Sequence, residues 1–135
     1  MKIAELRPGA KIGSITLPPV DRLTLIKYAG ASCDYNPIHT IDEEAEKAGL
    51  PGIIAHGMLT MGSLGKLFSP YLGEWFMEDY SVRFKGMVFL GDVLTLEAAA
   101  EEMNGDTASF LVSARNQNGE EVVSGKVRMK KMVDY

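Results

Sequence analysis

The pattern of apolar and polar positions divides the chain into a first half with turns and helices and a second half of alternating strands. Residues 11–18 read as a short strand closed by Pro18-Pro19, and Asp21 stands where the N-cap of a helix over about 22–32 belongs. Leu23, Ile26, Ala29 or Gly30, and Cys33 recur at helical spacing and predict that helix's apolar face. Residues 33–41 cannot be a regular element, because Pro37 forces Asn36 into an extended or turn conformation. Asp42 then caps a short charged helix that stops at Gly49, before Pro51. Glu43, Glu44, Glu46 and Lys47 form its solvated face.

Residues 56–68 carry almost no charge, and a helix apolar on all sides belongs in the centre of a protein. Gly57, Gly62 and Gly65 lower its intrinsic helix propensity, which points to close approach by another backbone or a substrate. Further on, Tyr80, Val82 and Phe84 alternate with Ser81, Arg83 and Lys85. Leu94, Leu96 and Ala98 repeat the alternation, followed by Phe110, Val112 and Ala114, and then by Val123, Val127 and Met129. Asn104-Gly105 and Asn118-Gly119 between these runs signal hairpins, and Gly86 signals a bulge or bend. Antiparallel strands around one buried helix make an α+β domain, and with no repeat or linker the expectation is one domain over residues 1–135.

Composition narrows the function. A net charge of -4 speaks against a nucleic-acid partner, since there is no cationic excess to meet phosphates. The single cysteine, Cys33, cannot form an internal disulfide, and no run of about 18 apolar residues suggests a membrane span. The N-terminus lacks an apolar signal core, so a cytoplasmic location is expected. Of the eight methionines, Met58, Met61, Met77 and Met87 are candidates to line an adaptable apolar pocket, though ordinary core filling explains any one of them.

The segment with chemical content runs from Tyr28 to His39. It places Asp34 and His39 five positions apart in a turn stiffened by Pro37. A carboxylate and an imidazole aimed at one point can hold and deprotonate a water and return a proton to carbon. The same Asp-x-Asn-Pro run is also ordinary turn chemistry. Asn36 supplies a fixed amide to orient a carboxylate or a backbone group. Downstream, Ile54-Ala55-His56-Gly57-Met58 opens the apolar helix. Orphan N–H groups at such a helix start suit an oxyanion, and Gly57 lets a carbonyl approach. His56 is either a second polar contact or a side chain that caps the helix or holds the turn.

D-Y-N-P-I-H, followed about 17 residues later by A-H-G-M, resembles the MaoC-like (R)-specific enoyl-thioester hydratases and (3R)-hydroxyacyl-thioester dehydratases, the hydratase 2 proteins. The likeness covers residues 28–62, and Tyr80–Gly91 resembles the family's next strand. It implies a hotdog fold, an antiparallel sheet wrapped around a long central helix. It implies that Asp34 and His39 activate water for trans-2-enoyl thioesters of CoA or acyl carrier protein. The oxyanion and substrate-binding set would be Gly57, Asn36 and His56. It also implies a homodimer or dimer-based oligomer, with or without a sister subunit, and neither cofactor nor metal. The stretch from Asp34 to Ala55 would overhang the pocket.

Two positions depart from the family pattern. Cys33 stands where the family has Gly, and a positive φ there would be strained. Gly62 stands where some members have Ser, and Ser63, about 100° further round the helix, takes no role from the likeness. Arg83 and Lys85 share a strand face near the presumed site, where they either meet carrier phosphates or are solvated. Three rival readings are a hotdog acyl-thioesterase, a non-catalytic acyl-binding subunit of a heterodimer, and a metal site built from Asp34, His39 and His56.

Overall fold

A computed structural model describes residues 2–133. Its elements in chain order are β1 (Lys11–Thr16), α1 (Arg22–Ser32), α2 (Asp42–Lys47), α3 (Gly57–Gly65), β2 (Trp75–Phe84), β3 (Thr95–Asn104), β4 (Thr107–Arg115) and β5 (Glu121–Lys131). The strands form one antiparallel sheet in the order β1-β3-β4-β5-β2. Short 3-10 turns occur at Ile3–Glu5, Pro37–His39 and Lys66–Tyr71.

The hairpin signals hold. Gly105, with φ 66°, starts a two-residue loop between the paired Asn104 and Thr107, and Gly119, with φ 77°, turns β4 into β5. The alternation also holds in β3 and β4, whose Leu96, Ala98, Ala100, Phe110, Val112 and Ala114 are all buried. The 56–68 helix keeps α-geometry only to Gly65 and tightens into the 3-10 turn, which contains Pro70. That segment carries Phe68 edge-on to Phe110, ring centroids 5.3 Å apart, and so anchors the helix to the sheet. A second tie comes from Tyr80 on β2, whose hydroxyl donates to the Met61 carbonyl at 2.5 Å. Burial pushes this phenol up to about 12, so it remains a donor.

Several expectations are corrected. β2 begins at Trp75 rather than near Tyr80, and a register shift between Met77 and Asp79 bends it. The bend expected at Gly86 comes just after β2, where Lys85 and Gly86 both donate to the Val122 carbonyl. α2 starts at Asp42 itself, with Ile41 as N-cap and no side-chain cap bond; Asp42, Glu43 and Glu44 instead place negative charge in the first turn. On α1, Asp21 does cap, accepting from the Thr24 N–H at 2.7 Å, and hydrogen bonding from Thr24, first its side chain and then its backbone, holds the carboxyl below the ordinary value. The buried residues of α1 are Leu25 and Ala29, however, while Leu23 and Ile26 are exposed. α3 is likewise one-sided: Thr60, Ser63 and Leu64 are buried, whereas Gly57, Met58 and Gly62 are open. Of the four singled-out methionines, Met58 and Met87 are exposed and Met61 and Met77 are half-buried.

Two positions have backbone consequences that can be measured. Gly125 on β5 lies opposite Val82, and a Cβ there would collide with the Ser81 carbonyl oxygen and the Val82 Cα. Gly125→Ala is therefore expected to destabilise the protein by about 2–3 kcal/mol, as overpacking does, read as a lower midpoint in urea unfolding. Cys33 ends α1 in the left-handed region, φ 59° and ψ 22°, where a β-carbon is strained. Cys33→Gly is expected to gain roughly 0.5–1 kcal/mol after the extra freedom of glycine in the unfolded chain is deducted. An unchanged or lower melting temperature would contradict that.

Candidate active site

Cys33's left-handed cap turns the chain out of α1 and starts a run of local hydrogen bonds. The Asn36 N–H donates to Asp34 Oδ1 at 3.2 Å, and the Ile38 N–H donates to Asn36 Oδ1 at 3.3 Å. Asn36, extended at φ -56° and ψ 120°, caps the 3-10 turn of Pro37–His39. The turn carries His39 inward. Its residue is buried, while the Asp34 side chain remains 51% exposed.

The returning strand segment fixes His39. The Ile54 N–H donates to the Ile38 carbonyl at 3.2 Å, and His39 Nδ1 lies 2.7 Å from the Ile54 carbonyl. Ile54 is itself bridged to Phe89, and the Ala55 N–H donates to the Val88 carbonyl at 2.8 Å. A carbonyl only accepts, so Nδ1 carries the proton and neutral His39 presents a lone pair at Nε2. That lone pair is 3.9 Å from Asp34 Oδ2. Two acceptors at this separation do not bond each other; they match the two O–H groups of one water.

His56, the N-cap residue of α3, makes no side-chain cap bond. Its Nε2 is 3.1 Å from the Asp34 carbonyl oxygen, so the ring holds the turn. It stacks on His39 with centroids 3.8 Å apart and planes at 23°, and the Tyr28 ring meets its other side edge-on at 4.8 Å. Sequence reasoning had no signal for this stack, since nothing in the spacing of the two histidines specifies parallel rings. Gly57, the first residue of α3, has an N–H without an intrahelical acceptor. A Cβ there would come 2.9 Å from the Phe84 ring, so the close approach that requires glycine is made by Phe84. Phe84, on the same side of the alternation as Tyr80 and Val82, is half exposed and covers this helix start.

The structure thus brings Asp34, His39, His56 and Gly57 together and assigns Asn36 Oδ1 to the turn. Arg83 and Lys85 alternate with Phe84 and line an open groove on the other face of the sheet with Ser81, Ser113 and Lys126, away from the Gly57 amide. Lys85 is paired there with Glu121 at 2.7 Å. Asp34, His39 and His56 offer metal-ligand atoms within 4.8 Å of one another. Stacked imidazoles send their lone pairs side by side rather than to a point, which is a poor fit to a single ion. A cleft of about 300 Å³ opens beside Ala55 and Val88, between Leu17 and Val20 on one side and Leu59, Thr60 and Ser63 on the other.

Comparison with known proteins bears on the fold and the family. The (R)-hydratase from A. caviae involved in PHA biosynthesis superposes with a TM-score of 0.79 at 27% identity, covering 93% of this chain and 97% of that one. The unliganded R-hydratase of Pseudomonas aeruginosa gives a TM-score of 0.80 at 28% identity, covering 97% and 85%. The fatty acid synthase subunit beta of Aspergillus oryzae is 35% identical over 108 residues, which is 76% of this chain but 5% of that subunit. The sheet and helix arrangement is the hotdog fold of these hydratases. Residues 5–131 match the MaoC like domain, and the chain belongs to that family of hydratases and dehydratases.

Proposed function

We propose that this protein reversibly hydrates trans-2-enoyl thioesters, of CoA or of acyl carrier protein, to (3R)-hydroxyacyl thioesters. The observation that supports this most directly is the paired acceptors, the Asp34 carboxylate and the His39 Nε2 lone pair, 3.9 Å apart at the start of α3. In this reading a water donates one O–H to each. Its oxygen attacks C3, one of its protons passes to the Asp34–His39 pair, and the C2=C3 electrons move onto the thioester oxygen. The Gly57 N–H stabilises that developing enolate at the positive end of α3. The pair then delivers a proton to C2. Dehydration is the same path reversed, so the direction of net flux follows substrate and product levels. The thioester itself acidifies C2, so the steps draw on no group beyond these residues and the substrate.

The rival thioesterase reading breaks the C–S bond and releases a free thiol. A sister-subunit arrangement would leave this chain inactive alone, whereas both Asp34 and His39 are present here. A homodimer is supported by exposure. The chain presents 7944 Å² to solvent, against about 6,900 Å² expected for a monomer of this size. Tyr35, Ile41, Met58, Phe84 and Met87 are large apolar side chains left exposed, and the Asp34 carboxylate is open on one side. A second copy would cover such surfaces.

Two tests follow. The purified chain should consume crotonyl-CoA without thiol release and yield the (3R)-hydroxy product. Asp34→Asn and His39→Ala should each lower kcat roughly a hundred- to ten-thousand-fold, the scale of general acid–base catalysis, with unchanged circular dichroism. Full activity in both variants, or thiol as the product, would refute the assignment. Sedimentation equilibrium should return twice the chain mass; the mass of one chain in an active preparation would remove the second copy from the account.

A further inference from the structure

His56 is 2% exposed, so it offers a substrate almost no surface. Its Nε2 donates to the Asp34 carbonyl at 3.1 Å, its face lies on His39 at 3.8 Å, and Tyr28 backs it at 4.8 Å. One ring therefore touches both members of the pair, the backbone of one and the imidazole of the other. Its remaining nitrogen, Nδ1, is buried with no hydrogen-bond partner. A buried acceptor left unpaired works against stability. The ring is thus poorly suited to its place as a packing element, but well placed to fix its two neighbours.

We propose that His56 is a positioning residue for the Asp34–His39 pair. It sets the distance between carboxylate and Nε2 by fixing the turn backbone at Asp34 and the ring plane of His39 together. This rests on the hydration reading above and adds a third residue to it, one that does not touch the reacting atoms. The Ile54 carbonyl fixes His39 within its own plane through Nδ1; the His56 face fixes it perpendicular to that plane. Without the stack, the His39 ring keeps one hydrogen bond as a hinge about which it can tilt. Without the Nε2 donor, the backbone that carries Asp34 loses its link to the start of α3.

The two contacts can be removed separately. His56→Gln retains an N–H donor and loses the stack; His56→Phe retains a flat ring and loses the donor; His56→Ala loses both. His56→Ala is expected to lower kcat for crotonyl-CoA hydration by about a hundredfold, the effect of roughly 1 Å of misplacement, with KM changed less than about threefold. The Gln and Phe variants should each recover part of that loss. In a His39→Ala background, removing His56 should cost clearly less than in the wild type, because the part that acts through the His39 ring is already gone and only the part that acts through the Asp34 backbone remains.

A second readout is independent of activity. The chain has two histidines, so their ring-proton resonances can be assigned by deletion. Removing His56 should move the His39 signal out of the shielding of the stacked ring. The proposal is overturned if His56→Ala keeps kcat within about twofold, if its loss is undiminished in the His39→Ala background, or if the His39 resonance does not move. Failure of the wild-type chain to hydrate enoyl thioesters would sink the hydration reading instead, and the resonance shift would still decide the positioning claim.

Discussion

The site depends on one hydrogen bond, from His39 Nδ1–H to the Ile54 carbonyl. It chooses the tautomer. With that proton committed, Nε2 faces Asp34 as a lone pair, and the neutral ring can serve as a base rather than a donor. The bond is short because Ile54 is held from three directions. Its N–H reaches the Ile38 carbonyl, it bridges Phe89, and the adjacent Ala55 N–H is bonded to Val88. Backbone contacts from the loop between β2 and β3 thus hold the segment that fixes His39. Pro37 and the Asn36 cap add local stiffness, but without Ile54 they would leave the imidazole free to rotate.

The two members of the pair are treated differently. His39 is buried, bonded and stacked, whereas Asp34 follows a strained left-handed residue and is half exposed. In the proposed reaction the substrate would meet the carboxylate on its open side, while the imidazole is held from behind. The left-handed exit from α1 at Cys33 leads directly into the turn that Asp34 opens.

Much of the fold could be read from the chain. The Asp21 cap, the Gly105 and Gly119 hairpins and the alternation of β3 and β4 are local signals that follow directly from backbone chemistry. The Asp34–His39 turn was readable for the same reason, since proline and Asx residues specify it within a few positions. What failed was anything decided by partners distant in sequence. On α1, the spacing of Leu23 and Ile26 gave no way to tell the chain's own core from a surface left open, and Leu25 and Ala29 face the core instead. The start of β2 was hidden by Glu78 and Asp79, charges that an edge strand tolerates and a central one would not. The His39–His56 stack joins two segments 17 residues apart, a 3-10 turn and the start of α3, and no periodicity encodes it.

The central claim is spatial: carboxylate, imidazole and helix-start amide converge on the reacting part of an acyl thioester. A crystal structure with a bound (3R)-3-hydroxyacyl-CoA tests it most directly. The account predicts the C3 hydroxyl between Asp34 Oδ2 and His39 Nε2, within hydrogen-bond reach of both, with the thioester oxygen on the Gly57 N–H. A ligand whose hydroxyl contacts neither residue, or whose carbonyl lies away from the start of α3, would contradict it.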